Sequence, residues 1–166
     1  MRILFGRILA TAVAGTMLVS IVQAGIRPPA VPLVSVEPHF SVWSAADNLY
    51  DTDTSHWSGV KQPLMILLEA DGVTYRLCGR GGWYGIGLAG PILQQTSCRV
   101  GATTTSYVFS NGKGLSAEID FMTPRITDDL DVFSRPVSYV TVRVKGAKKF
   151  EEIGRASCRE RVFSRV

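Results

Sequence analysis

LMILLEADGVTYRLC, at residues 64–78, is the stretch that decides the fold class. Two apolar runs, 64–69 and 73–78, flank the tripeptide Ala70-Asp71-Gly72. An Asp-Gly pair between two such runs is typical of a tight turn that joins antiparallel strands. The stretch therefore predicts a β-hairpin.

The pattern continues downstream of this hairpin. Residues 97–100 and 103–109 are predicted strands, the second being rich in Thr, Tyr and Val. Residues 110–114, SNGKG, predict a second hairpin turn. Beyond it, apolar and polar residues alternate with a period of two: Leu115, Ala117, Ile119 and Phe121 against Ser116, Glu118 and Asp120. The last clear strand, 137–145, alternates in the same way through Val140, Val142 and Val144.

Upstream, a Pro-rich lead precedes two short predicted strands, 33–36 and 39–43, which are separated by Pro38. Residues 44–62 are polar and turn-rich and predict an ordered surface loop. Nothing in 25–150 keeps the apolar spacing of a helix. Hairpins without intervening helices predict an all-β, antiparallel β-sandwich-like domain. We expect this domain to be incomplete, since no partner strand follows the last predicted one.

The first 24 residues have the pattern of a secretory signal peptide. A segment with Arg2 and Arg7 precedes an uncharged run that reaches Ile26, and Val22-Gln23-Ala24 suits a signal peptidase. Cleavage after Ala24 predicts a secreted or periplasmic protein with no membrane attachment. An uncleaved anchor is the alternative, because the run is just long enough to span a bilayer.

The last fifteen residues, 152–166, differ in composition from the β-rich part at 25–151. They are dense in Arg, show no strand alternation and resemble the translation of a sequencing adaptor. We therefore predict that they do not belong to the native protein. A genuine basic tail or a short helix is the alternative interpretation.

Net charge excludes one class of partner. The chain carries a formal charge of +4, but this excess comes from the two ends. Residues 1–24 contain two Arg, and residues 152–166 contain four Arg and two Glu. The remaining residues, 25–151, carry twelve basic and twelve acidic side chains. This balance shows no basic stripe for nucleic acid, so we predict no nucleic-acid partner.

No catalytic, metal or cofactor site is predicted from the residues. Residues 85–90 spell GxGxxG, but Pro91 follows and no βαβ unit surrounds them. Asp51 and Asp53 begin a stretch that resembles the start of an EF-hand loop. This stretch lacks the Gly and the Glu that such a loop requires. We therefore favour a role in turns for these side chains over a Ca²⁺ site. The only histidines, His39 and His56, stand outside any metal-spaced cluster, and His39 is predicted to lie packed or at an edge in a strand.

Three further groups allow a functional and a structural interpretation. Cys78 and Cys98 form either a disulfide, as export permits, or two separate buried thiols. The carboxylates at 128, 129 and 131 suggest an acid pair only weakly, because they stand close together in a loop. The three tryptophans are Trp43, Trp57 and Trp83. Each could stack on a sugar ring or pack in the core and anchor a loop.

Several stretches resemble the N-terminal region of the glutaminase A family of secreted proteins. They begin with PLVSVEPHFSVWS and L-x-D-x-D-T-x-HW-x-G in residues 32–59, and continue through 62–79 and 94–109. The most specific stretch lies in 115–145 and contains FMTP and DDLDVFSRPVSYVT. The resemblance covers nearly all of 28–145, except the glycine-rich 80–91.

The resemblance implies a function for a longer protein. Members of this family are exported and hydrolyse L-glutamine to L-glutamate and ammonia. A β-rich N-terminal region is followed in them by a large helical α/α-toroid domain. The resemblance thus implies a non-catalytic N-terminal β domain, whose partner is the helical catalytic domain of the same protein. A carbohydrate-associated β-sandwich module that uses exposed tryptophans is the alternative function.

Overall fold

The computed structural model describes residues 28–80 and 90–156. These residues form three antiparallel sheets with strand orders β1-β2, β4-β3-β9 and β5-β6-β7-β8. The elements are β1 Val31–Glu37, β2 Phe40–Ser44, β3 Leu64–Ala70, β4 Val73–Cys78, β5 Gln94–Val100, β6 Thr104–Ser110, β7 Ser116–Met122, α1 Leu130–Phe133, β8 Tyr139–Lys145 and β9 Phe150–Ala156. The predicted all-β, antiparallel, sandwich-like fold is confirmed. The predicted signal peptide at 1–24 lies outside the described residues.

The β3–β4 hairpin forms as the Asp-Gly pair predicts. Ala70 pairs with Val73, and the two residues between them have positive φ, 51° at Asp71 and 82° at Gly72. Positive φ at both central positions defines the type I′ turn, whose twist matches that of the flanking strands. The Asp71 carboxylate also accepts hydrogen bonds from the backbone N–H groups of Lys148 and Lys149, each at 3.1 Å. It thereby ties the β8–β9 connection to the hairpin.

The alternation in β7 fixes which face of the four-stranded sheet is buried. Ala117, Ile119 and Phe121 are each no more than 1% exposed. On the neighbouring β6, Tyr107 meets Phe121 edge-to-face with ring centroids 6.1 Å apart, a favoured aromatic geometry. The turn between these strands is closed by Asn111, whose side-chain oxygen accepts from the N–H groups two and four residues on.

One apolar core joins the sheets. The β1–β2 hairpin lies against the four-stranded sheet, where the Thr105 hydroxyl donates to the Pro32 carbonyl at 2.7 Å and the Ser35 N–H donates to the Thr123 hydroxyl at 3.2 Å. Burial of these aliphatic and aromatic side chains is the main stabilising contribution, at about 1.5–3 kcal/mol for each large one. The core includes Val31, Leu33, Val34, Val42, Leu49, Leu64, Ile66, Leu68, Leu77, Leu93, Tyr107, Phe109, Ile119 and Phe121.

The end of the described chain contains a strand that the sequence pattern does not predict. A strand does follow β8, and β9 crosses the predicted boundary at residue 152. It pairs along its whole length with β3, from Leu64↔Ala156 to Ala70↔Phe150, and not with β8. The edge of β3 opposite β4 supplies the backbone partners of β9. Residues 157–166 lie outside the described residues, and the non-native origin of 152–166 stays a prediction.

The described residues contain one short helix, which is a single turn long. Helix α1 has four residues, and no helix in this part of the chain is long and apolar enough to cross a membrane.

Candidate functional site

A groove of about 360 Å³ lies between the β1–β2 hairpin, the loop that follows β2 and the segment that follows β7. We call it the tryptophan groove, because two indole side chains line it. Its lining residues are Ser35, Val36, Glu37, Pro38, Ser41, Trp43, Trp57 and Arg125.

The alternation of strand β2 places two of these side chains in the groove. Val42 is 4% exposed and belongs to the core. Its neighbours Ser41 and Trp43 therefore point to the opposite face, since successive strand residues alternate. Ser35 of β1 stands opposite Ser41 in the pairing register and lines the same groove. The face of the hairpin that is turned away from the core is thus the floor of the groove.

The loop after β2 carries the second tryptophan and is fixed by hydrogen bonds. Trp43 and Ser55 exchange two backbone hydrogen bonds of 2.7 and 3.0 Å. The indole Nε1–H of Trp57 then donates to the Pro38 carbonyl at 2.6 Å, in the β1–β2 turn. His56 Nε2 lies 2.7 Å from the same carbonyl. The prediction of an ordered loop in 44–62 is confirmed.

His56 is held in one tautomer by its neighbours. Its Nδ1 accepts from the Ser58 N–H at 3.2 Å and lies 2.7 Å from the Ser58 hydroxyl. Because Nδ1 is an acceptor, the proton of the neutral ring sits on Nε2 and points to the Pro38 carbonyl. The ring centroid lies 5.2 Å from that of Trp57. His56 therefore supports the position of Trp57.

Two buried polar atoms of residues that line the groove have no hydrogen-bond partner in the described part of the chain. They are Oγ of Ser41 and Nε1 of Trp43. Ser41 is only 4% exposed. A buried donor or acceptor left unsatisfied costs about 1–3 kcal/mol, and proteins rarely retain such groups without a reason. A polar ligand that reaches them is one such reason.

Two side chains of opposite charge border the groove. Arg125 donates to the backbone carbonyl of Ser35, and its guanidinium lies 5.7 Å from the centroid of the Phe133 ring. Glu37, at the end of β1, is exposed. The border therefore combines hydrogen-bond donors and acceptors without a net charge.

The structure corrects the position of one histidine. His39 lies in the turn between β1 and β2 and is exposed, whereas the sequence predicts a packed or edge position in a strand. The reason is that β1 extends to Glu37 and pairs with Phe40 there, which leaves only Pro38 and His39 for the turn.

The candidate Ca²⁺ ligands have protein partners. A carboxylate oxygen of Asp51 accepts from the Asn48 N–H at 3.2 Å and from its side-chain amide at 2.9 Å. Asp53 accepts from the Arg80 N–H at 3.2 Å. Among residues 28–80 and 90–156, no three His, Cys, Asp or Glu side chains cluster as metal ligands. Asp51 therefore stabilises a local turn, whereas Asp53 connects its loop to the backbone at residue 80.

The acidic loop at 128–131 caps a helix. Asp129 is the N-cap of α1, and its Oδ1 accepts from the Val132 N–H at 3.0 Å. Asp131 lies in the first turn of the helix, where a negative charge complements the helix dipole. The structure therefore gives these two carboxylates a local structural role.

The two described cysteines are free thiols. Cys78 is buried and Cys98 is partly exposed, so the disulfide alternative is not formed and only one of the thiols is buried. Burial raises the pKa of the Cys78 thiol far above its usual value; the Asp53 charge adds to this, and a hydrogen bond from Gly79 opposes it. A thiol with such a raised pKa is a poor nucleophile.

Of the candidate residues named from the sequence, two tryptophans lie together in one site. Trp43 and Trp57 line the same groove, while Trp83 lies outside the described residues. So do residues 85–89 of the GxGxxG pattern. Its last residue, Gly90, has a structural requirement, because a Cβ there would lie 2.3 Å from the Thr74 carbonyl oxygen.

Among the eight residues that line the groove, sequence reasoning identifies only the two tryptophans as candidates. Ser41, Glu37 and Arg125 were not singled out, although a serine between Phe40 and Val42 in a predicted strand is a weak indication of a polar floor. Arg125 follows β7 and stands far from the others along the chain, so only the folded arrangement brings it to the groove.

Comparison with known proteins gives two family matches. Residues 8–82 match the family model described as Domain of unknown function (DUF4964). Residues 103–152 match the one described as Domain of unknown function (DUF5127). No curated protein and no solved structure matches the chain.

Proposed function

We propose that this chain is the non-catalytic N-terminal β domain of an exported, secreted or periplasmic, glutaminase-like amidohydrolase, and that it docks against a helical catalytic domain of the same protein. Support comes from the resemblance across 28–145, which includes the FMTP and DDLDVFSRPVSYVT stretches. The observation that carries the docking part is an exposed apolar surface on these same stretches.

Residues 122–139 form this surface, which we call the docking segment. Six large apolar side chains in it are exposed, with Leu130 the most exposed at 74%. Single exposed apolar residues are ordinary, but six within one segment of this length favour an interaction site. They are Met122, Ile126, Leu130, Phe133, Val137 and Tyr139.

Helix α1 indicates where a partner would pack on the docking segment. Three of its four residues are apolar, yet none is buried. A helix of one turn is not stable in water by itself and needs packing against another element. The cap by Asp129 positions its first turn, so that Leu130 and Phe133 are presented to an external surface. An apolar face of a helical domain fits this requirement.

The docking part is tested by co-expressing this chain with the helical domain encoded at the same locus. We expect the two to co-purify, and the double variant Leu130→Asp/Phe133→Asp to abolish co-purification without lowering the melting temperature of this chain. Val73→Asp, at an exposed valine on the β3–β4 hairpin, is the matched control and should co-purify normally. Undiminished co-purification of the double variant, or equal loss in the control, would contradict the proposal.

A further inference from the structure

We infer that the tryptophan groove is a binding site for the sugar rings of a neutral oligosaccharide. This inference is independent of the docking segment and of glutamine hydrolysis. It combines three observations made above: an exposed indole held in a fixed position, two buried polar atoms without partners, and a border whose charges are of opposite sign.

Trp57 supplies a flat apolar platform. Its side chain belongs to a residue that is 64% exposed, and the hydrogen bond from Nε1 to the Pro38 carbonyl fixes its orientation. An indole fixed in advance loses little conformational entropy when a ligand stacks on it. The CH-rich face of a pyranose ring suits such a platform, whereas an anionic ligand is not attracted to the electron-rich face of the indole.

Ser41 and Trp43 select a ligand with hydroxyl groups. The Ser41 hydroxyl can donate and accept, and the Trp43 Nε1–H can only donate. A sugar hydroxyl satisfies either atom, while an apolar ligand leaves both unsatisfied. Both atoms are enclosed in the wall of the groove, so contact requires a small turn of a wall side chain or one bridging water.

Glu37 and Arg125 favour a neutral ligand over an anionic one. The guanidinium has N–H groups beyond the one that donates to Ser35, and the carboxylate accepts from hydroxyls. Because one charge of each sign borders the groove, a phosphate or a uronic acid would be attracted by Arg125 and repelled by Glu37. Sugar hydroxyls can bond to both.

The test is a binding titration of the purified full chain with soluble hexasaccharides of β-1,4-linked glucose, β-1,4-linked xylose and α-1,4-linked glucose, and with L-glutamine. At least one hexasaccharide should bind. Trp57→Ala should weaken that binding about tenfold, the loss expected for one aromatic contact. Trp57→Phe keeps an aromatic face and should retain most of the binding. Phe150→Ala, at an exposed aromatic residue outside both the groove and the docking segment, is the matched control and should bind as the parent does.

Ser41→Ala separates a binding role from a structural one. The hydroxyl has no partner in the described residues, so its removal should leave the melting temperature unchanged or higher. The hexasaccharide should nevertheless bind about two- to tenfold more weakly, as expected for one hydrogen bond. The inference is overturned if no hexasaccharide binds, if Trp57→Ala and Ser41→Ala bind as the parent does, or if L-glutamine occupies the groove instead.

Discussion

The Thr54 hydroxyl accepts a hydrogen bond from the backbone N–H of Leu64 at 2.8 Å. The same hydroxyl donates to the Gln62 carbonyl at 2.5 Å, and Thr54 is 1% exposed. One side chain thus closes the loop that carries Trp57 and joins it to the first residue of β3.

Loss of this hydroxyl should destabilise the fold. Thr54→Val has a similar shape but leaves the buried N–H of Leu64 without its partner, so the free energy of unfolding should fall by about 1–3 kcal/mol. Thr54→Ser keeps the hydroxyl and should lose only about 1 kcal/mol for the deleted methyl group. Urea denaturation followed by circular dichroism measures both. A valine variant as stable as the serine variant would show that the hydroxyl does not hold the loop.

The two described cysteines should differ in reactivity. Burial and the raised pKa of the Cys78 thiol predict that iodoacetamide at pH 8 leaves it unmodified in the native protein. Cys98 is partly exposed and should be alkylated, while Cys78 should react only after unfolding. Peptide mapping by mass spectrometry distinguishes the two sites. Native modification of Cys78, or recovery of a Cys78–Cys98 disulfide, would refute this prediction.

Stability should fall in acid, in part through Asp120. Burial acts to raise the pKa of this carboxyl, but hydrogen bonds from Ser106 and Arg143 and the charges of Arg143 and Arg99 hold it below its usual value. A lowered folded-state pKa gives stability above the unfolded-state value, about 3.9, which is lost as the pH falls through the folded-state pKa.

The free energy of unfolding, measured from about pH 6 down to pH 2.5, should therefore drop below about pH 4. The drop should be smaller in Asp120→Asn and in Arg143→Gln, which removes the partner cation. Since Arg143 is exposed, added salt should reduce the difference between parent and variants. Identical acid profiles for the parent and Asp120→Asn would contradict the assignment.

Much of the fold follows from local sequence patterns. The Asp71-Gly72 turn and the alternation in Ser116–Met122 both predict the structure correctly, because each is decided by residues close together in the chain. Strand β9 is not evident from the sequence, because its pairing partner β3 lies eighty or more residues away along the chain.

The groove shows the same limit of sequence reasoning. Trp43 and Trp57 could each be identified as candidates from residue type alone. Their arrangement depends on the Trp43–Ser55 backbone pair and on the hydrogen bond to Pro38, which no periodicity reveals. Arg125 reaches the groove from the segment after β7 only in the folded chain.

The central claim is that this chain is a non-catalytic domain of a glutaminase-like protein. Its most direct test is release of ammonia from L-glutamine, measured for the purified chain and for the complete protein encoded at the locus. We predict hydrolysis by the complete protein and none above the enzyme-free blank by this chain. Ammonia release by this chain that disappears in Asp51→Asn or Asp53→Asn, or a complete protein that leaves L-glutamine intact, would contradict the claim.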